Sequence, residues 1–385
     1  MPWRETSPMF ERVEFVREYE SGLFSVTELA AHYGISRKTA YKWLARFDGD
    51  GAPALADRSR RPHGSPHVTA AAIVDAILAQ RHRHPHWGAK KLLAILRRRE
   101  PATSWPARST VCDLLKRHGL VVPSRRRPPT IGVPRAPLPA ITRVNEVWTT
   151  DFKGEFRTGD GVYCYPLTLR DGFSRFVLRC DALSGTAYAA TRRRFERAFA
   201  DYGLPERIRS DNGGPFAGPG LGGLSRLAVW WLRLGIVPER IAKGHPEQNG
   251  SHEQFHSVLK TATARPPAAH RDAQQQRFRR FRVEYNYERP HEALNNQPPA
   301  TQYQASRRPW PRVVPAIEYP GHFEVRRVSS TGVIKFGGHP LFVSHVLAEE
   351  PIGFDETADG VWTLYFASVA LARLDARTYQ LQGLR

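Results

Sequence analysis

Residues 122–140 read Val-Pro-Ser-Arg-Arg-Arg-Pro-Pro-Thr-Ile-Gly-Val-Pro-Arg-Ala-Pro-Leu-Pro-Ala. Proline fixes φ and removes the backbone donor that a helix or an inner strand needs, and the arginines demand water or an anion. No packed core can run through such a stretch. It is expected to be an extended, semi-rigid tether that also touches phosphates. The 385-residue chain is long enough for roughly two to four domains, and this segment divides it. Helical patterns precede it; strand and helix patterns follow.

Before the tether, Phe10, Val13, Phe15, Val16 and Tyr19 recur at helical spacing until Ser21-Gly22 breaks the run. Ser25-Val-Thr-Glu28 fits a capping box, with Ser25 as the cap and Glu28 reaching back. A short helix, a turn at Gly34, Ile35 packed inside and Ser36 capping a second helix together make a helix-turn-helix pattern. The second helix would present Arg37, Lys38, Tyr41 and Lys42 outward, as a recognition helix does. A plain helical hairpin is the alternative, but cap, turn glycine and basic outer face together favour DNA binding. Residues 68–120 suggest a second, helix-turn-helix-like unit. His82, His84 and His86 lack a partner cysteine pair, so a solvated basic stretch is expected there and not a metal site.

After residue 145 the pattern changes. Val147–Phe152, Val162–Leu169 and Phe176–Cys180 read as strands, Ala187–Tyr202 as a long amphipathic helix, and Arg207–Ser210 and Leu234–Val237 as further strands. Helices are expected over Gln248–Ala262 and Gln274–Tyr287. The sum is an α/β sheet of mixed pairing. Short β-type runs from 318 onward, with turns at Gly337-Gly338 and Asp359-Gly360, suggest a small, separate β-barrel.

The net charge is +20 and the pI near 10.3, mostly from arginine, whose planar fork suits phosphate. Such charge draws a chain to nucleic acid by counterion release. Three widely spaced cysteines, Cys112, Cys164 and Cys180, suit a reducing compartment. No apolar run approaches the roughly 20 residues that span a bilayer, and the N-terminus lacks an apolar signal core. An intracellular protein with no membrane partner is expected.

Within this basic background stand three acids in distinct contexts: Asp151 in Trp-Thr-Thr-Asp-Phe-Lys, Asp211 in Arg-Ser-Asp-Asn-Gly, and Glu253 in Gln-Asn-Gly-Ser-His-Glu-Gln-Phe-His. Each alone has an ordinary explanation: a strand-end cap, an Asp-Asn-Gly turn, a solvated helix face. Together, two carboxylates at neighbouring strand ends and a third from a helix on the sheet offer oxygen ligands to Mg²⁺ or Mn²⁺. Two such ions, about 3.5–4 Å apart, serve in-line phosphodiester displacement. Asp151 would bridge them, Asp211 would complete one site and Glu253 the other.

Trp148-x-x-Asp151, Ser210-Asp211-Asn-Gly213 and Pro246-x-Gln-Asn249-Gly250-x-x-Glu253-x-Phe255-His256 resemble, in order, the signatures of the DDE retroviral-integrase superfamily. Tyr285-Asn-x-x-Arg289-Pro-His291-x-x-Leu294 resembles the segment that follows the core in bacterial insertion-sequence transposases of that type. The resemblance implies an RNase H-like core with Asp151, Asp211 and Glu253 as catalytic metal ligands. It implies cleavage that frees a 3′-hydroxyl at the element's ends, attack of that hydroxyl on target DNA, and no Ser or Tyr nucleophile. Lys260, seven residues beyond Glu253 and on the same helical face, matches a position that holds the DNA end. Asn212, Gly213 and Gly214 would let backbone approach the metal site, with Asn212 also a candidate DNA contact; Asn249-Gly250 would give a flexible lead into the helix, and His256 is a candidate for a DNA contact or for packing. Glu247 matches a non-catalytic position. Gln254 departs from the Arg common in relatives, and Ala217–Gly223 lengthens the span from Asp211 to Glu253, as a surface loop. The expected multidomain architecture is a helix-turn-helix domain (1–60), a second helical domain (67–121), the tether (122–141), an α/β RNase H-like core (142–303) and the small β-barrel (316–385). The implied partners are double-stranded DNA, at transposon ends and target, and further copies of the chain. The implied setting is the bacterial cytoplasm, at the nucleoid. The competing readings are a non-catalytic DNA-binding regulator and a nuclease of the same fold.

Overall fold

The structure, a computed structural model, describes residues 6–59, 68–121, 140–218, 220–242 and 250–384. The tether over 122–139 and the positions Glu247 and Asn249 lie outside them. Two compact units emerge, residues 1–69 and 70–385.

The first unit holds α1 (Pro8–Glu20), α2 (Val26–His32) and α3 (Arg37–Asp50). Each begins at a serine whose side chain accepts an orphan backbone N–H: Ser7, Ser25 and Ser36. Ser25 and Glu28 form the reciprocal capping box, which satisfies two donors at once. Gly34 takes φ +65°, the left-handed conformation that turns the chain from α2 into α3. Phe15, Val16, Leu29, Ala40, Trp43 and Leu44 form the core.

The second unit starts with α4 (Ala71–Arg83), α5 (Ala89–Arg99) and α6 (Arg108–Arg117), packed around Ile77, Trp87, Leu92, Leu96, Val111 and Leu115. The sheet that follows comprises β1 (Val147–Phe152), β2 (Phe156–Arg157), β3 (Tyr163–Asp171), β4 (Val177–Leu183), β5 (Arg207–Ser210) and β6 (Val237–Arg240). β3 pairs antiparallel with β1, β4 and β2, while β5 runs parallel between β1 and β6. This is the mixed pairing expected. One face is covered by α7 (Tyr188–Tyr202) and α8 (Arg226–Arg233), through Trp148, Leu167, Ile208, Phe195, Phe199 and Trp231. α9 (Gly250–Thr263) and α10 (Arg271–Val283) cover the other, through Phe255, Leu259, Phe278, Phe281 and Cys180. A π turn, Glu284–Glu288, continues α10.

The strand expected at 234–237 begins only at Val237. Its first residues are consumed by the end of α8, where Leu234 is the C-cap and Gly235 takes φ +66°. α8 buries Leu227–Leu232 between the exposed Arg226 and Arg233, an apolar run too short to tell a helix from a buried strand by its period. Leu227, Trp230 and Trp231 face the sheet. Ala228, Val229 and Leu232 belong to a second core with the C-terminal strands.

Those strands are β7 (Glu324–Arg327), β8 (Val333–Phe336), β9 (His339–Phe342), β10 (Pro351–Ala358), β11 (Val361–Phe366), β12 (Val369–Asp375) and β13 (Gln380–Gly383). The expected barrel does not close. Among the described residues they form an open five-stranded sheet, β13-β12-β11-β10-β7, and a separate β8–β9 hairpin. Nor do they stand apart, since α8 supplies one wall of their core. The glycine-rich stretch is likewise no free surface loop. A Cβ at Gly222 would lie 2.9 Å from Leu371 Cδ2, and one at Gly220 2.7 Å from Ser344 Oγ. These glycines let the backbone press against the C-terminal strands.

Candidate active site

Strand alternation decides which face of the sheet carries chemistry. In β3, Leu167 and Leu169 enter the apolar core with α7 and α8, whereas Thr168 and Arg170 reach residues of α9. In β1, Trp148 joins the apolar side, and Thr149 and Asp151 face α9. The register that pairs Val147 with Arg207 and Thr149 with Arg209, carried one pleat further, sets Asp151 level with Asp211. Adjacent strands lie about 4.8 Å apart, so the two carboxylates arise from neighbouring strand ends. Asp211 Oδ1 accepts the Gly213 N–H at 3.1 Å. A Cβ at Gly213 would stand 3.0 Å from Asp211 Oδ2, which accounts for glycine there.

α9 is pinned across β1 and β3 by His252 and His256, one helical turn apart and both buried. Thr168 Oγ1 is the hub, 2.7 Å from His252 Nε2, 2.8 Å from His256 Nε2 and 3.0 Å from the Asp151 carbonyl oxygen. A hydroxyl has one proton and a carbonyl can only accept. Thr168 therefore donates to Asp151, and both imidazoles donate to Thr168 through Nε2–H. Each Nδ1 is left with a lone pair. That of His252 accepts from Thr149 Oγ1 at 2.9 Å; that of His256 faces Asp151 Oδ2 at 3.6 Å, too far for a hydrogen bond. Burial keeps both rings neutral, pushing His256 down to about 3 and His252 well below the ordinary histidine range.

Glu253 lies between these histidines in sequence and stays exposed. Burial, then the Asp211 charge, push the Asp151 carboxyl up to about 7; Glu253 acts in the same direction, against the Phe152 N–H and Lys153. The three acids thus share one electrostatic neighbourhood. They do not close into a cage: no three His, Cys, Asp or Glu among the described residues stand close enough to hold a metal ion. The donor chemistry, carboxylate oxygen only, nevertheless fits a hard divalent cation, which would relieve the mutual repulsion.

Lys260 is exposed on α9, about 10 Å along the helix from Glu253. With Lys153 it lines a pocket of about 280 Å³ beside the site. Lys153, two residues beyond Asp151, was missed from sequence, although a cation so close to the acid was a usable signal. Arg37, Lys38, Tyr41 and Lys42 are all exposed at the start of α3. Asn212 is exposed too, but its amide donates to the Ile241 carbonyl at 2.8 Å, tying down the loop. His256 makes no outward contact of the kind a DNA ligand needs, because its ring is committed to Thr168. His252 escaped the sequence reading, although its four-residue spacing from His256 was visible. One further histidine is corrected. His84 is not solvated: it is buried, stacked 3.8 Å from Trp87, and bonded to Glu284 at 3.2 Å. His82 and His86 are exposed.

Comparison with known proteins accords with this architecture. Residues 11–63 match a helix-turn-helix domain family and 39–115 a homeodomain-like domain family; 141–246 and 234–299 match two integrase core domain families. An uncharacterized 31.7 kDa protein of insertion element IS407 from Burkholderia multivorans is 26% identical over 240 residues, 61% of this chain and 80% of that protein. An uncharacterized 39.2 kDa protein of insertion element IS476 from Xanthomonas euvesicatoria is 28% identical over 236 residues, 58% of this chain and 61% of that one. Among solved structures, the HTLV-2 integrase catalytic core domain in complex with magnesium is 15% identical, covering 42% of this chain and 98% of that chain at a TM-score of 0.31. The class is therefore defined: helix-turn-helix modules joined to an integrase core. Within it, the matching domains and the insertion-element relatives support a DNA transposase of the DDE integrase superfamily. No helix among the described residues is long and apolar enough to cross a membrane.

Proposed function

We propose that Asp151, Asp211 and Glu253 are the catalytic acids with which this transposase cuts the ends of its element and joins the freed 3′-hydroxyl to target DNA. The observation that supports the reading is the parallel register of β1 and β5, which puts Asp211, just past the end of β5, near enough for its charge to raise Asp151, with α9 held against β3 by two buried histidines. The three carboxylates would hold Mg²⁺ or Mn²⁺, two ions in the full site. When bound, the cations neutralise charge at the phosphodiester and lower the pKa of the attacking water or hydroxyl.

The chain's own residues do the rest. His252, His256 and Thr168 hold α9 and the Asp151 backbone in one geometry. Lys153 and Lys260 flank the acids where the phosphates of a donor strand would run, and Asn212 holds the loop behind Asp211. Arg37, Lys38, Tyr41 and Lys42 would read the element's terminal repeats from an exposed helix start. Bringing two ends together calls for a homo-oligomer acting on double-stranded DNA.

The test is incubation of the full chain with labelled duplexes that carry the element's ends, plus Mg²⁺ or Mn²⁺. Nicking followed by strand joining is expected. Nicking without joining would leave a nuclease, and intact duplexes under both metals would sink the catalytic assignment.

A further inference from the structure

The far side of α9 carries a site of opposite character. A pocket of about 320 Å³ lies between α5, the end of β3 and the segment that follows α10. Lys91, Arg170, Arg175, Ser251, Arg289 and His291 line it. The pocket's own acid, Glu292, also lines it but lies 2.6 Å from Lys90, and the nearby Glu284 and Glu288 lie at His84. Arg170, Arg175 and Arg289 form no ion pair among the described residues.

Arg170 is the most telling of them. It is 1% exposed, donates to Ser251 Oγ at 2.8 Å and lies over the Phe255 ring at 5.5 Å, while its Nε has no partner. His291, 7% exposed, also holds an unpartnered Nε2. An unpaired buried guanidinium is costly, and three convergent cations repel one another. Both problems ease if an oxyanion enters. Tetrahedral phosphate oxygens suit guanidinium forks, and α5 adds Lys91, whose ammonium donates to the Pro290 carbonyl at 2.7 Å.

We propose that this pocket holds a backbone phosphate of DNA, as an anchoring site separate from the three carboxylates. The inference rests on the reading that DNA is bound at this core. Thr168 and Arg170 are alternate residues of one strand face, about 7 Å apart along β3, so the anchored phosphate lies a short step from the acids. Because Lys91 belongs to the second helical region and Arg170 to the sheet, the phosphate would bridge the two.

Free phosphate has the same chemistry, so the test separates the sources. Binding of a fluorescein-labelled duplex to the full chain is measured in EDTA between about 50 and 200 mM salt. Arg175→Gln, on a partly exposed turn, and Arg289→Gln should each weaken binding about five- to twentyfold and lower the slope of log affinity against log salt by about 0.9. Arg289→Lys should restore most of the slope, and Arg377→Gln, on the C-terminal sheet, should leave affinity for the duplex within about twofold. Unchanged slopes in both pocket variants overturn the proposal. So does inorganic phosphate raising the melting temperature of the wild type alone while duplex binding is unaltered, since the pocket would then take the free ion. Because EDTA removes catalysis, duplex binding with unchanged slopes defeats only the pocket; a chain that binds no duplex defeats the DNA reading as well.

Discussion

The two sides of α9 solve opposite electrostatic problems. Toward β1, the helix presents neutral, buried imidazoles to a cluster of acids in which burial, and then the charge of Asp211, lift Asp151 to about 7. Toward α5, it presents Ser251 and Gln254 to a group of cations that outnumber the one acid, Glu292, lining the same pocket. The first side wants positive charge and the second wants negative charge. On the function proposed, a phosphodiester together with divalent cations would supply both, and a single substrate complex would complete the helix from either side. The comparison also separates two functions that mutation can pull apart: chemistry on one side, anchoring on the other.

The largest expected effect breaks the first side alone. Asp151→Asn keeps the shape of the residue but removes its charge, and cleavage should fall by about a thousandfold or more. Duplex affinity in EDTA should change little, because no phosphate anchor is lost. Parallel cleavage and binding titrations give the answer. Surviving cleavage would move the chemistry away from Asp151.

His252→Ala should come next, and it acts through structure. It strips Thr149 and Thr168 of a buried partner and opens a cavity, for a loss of about 2–4 kcal/mol in unfolding free energy. Urea denaturation reads this directly. Cleavage at a temperature where the variant remains folded should also drop, because α9 loses one of its two pins. A destabilised variant with full cleavage would mean that His252 is packing alone. The Arg175 and Arg289 variants fall below these, with their five- to twentyfold losses confined to binding.

The sequence disclosed the two sides unequally, and the reason is chain distance. Asp151, Asp211 and Glu253 stand in compact signatures, and a helix-turn-helix is a local pattern of caps and one turn glycine. Strands such as Arg207–Ser210 were legible because an alternating pattern sat between clear breakers. The cation pocket draws Lys91, Arg170 and Arg289 from segments some hundred positions apart, so no window contains it. α8 is obscure for a different reason: the short apolar run Leu227–Leu232 reads as readily as a buried strand as it does a helix. The barrel expectation failed because short β runs reveal strands but not closure, and here the edge strands β7 and β13 stay unpaired with each other while α8 contributes to the core. His84 misled through its exposed neighbours, since its burial depends on Trp87 and on Glu284, two hundred residues away.

The smallest expected effect bears on what fills the second side. Burial, and then the charges of Lys91, Arg289, Arg175 and Arg170, push His291 down to about 3; Tyr285 also packs on its ring, and Glu292 follows it in sequence. The folded state therefore holds the neutral ring, whereas the unfolded chain takes up a proton near pH 6.5. Stability from this group is fully present above 6.5 and declines as pH falls toward 3, by about 1.4 kcal/mol at pH 5.5. Unfolding free energies of wild type and His291→Gln, read from urea titrations, should diverge by about 1.2 kcal/mol between pH 7 and 5.5. His252 and His256 are depressed too, but they sit on the acid side and should contribute equally in both proteins. A bound backbone phosphate would offset the surrounding cations and draw the His291 pKa upward. The divergence should then shrink when duplex is present, and the acid-side histidines should not share in that recovery. An equal divergence with and without duplex would mean that no anion reaches His291, and the symmetry between the two sides of α9 would fail at that point.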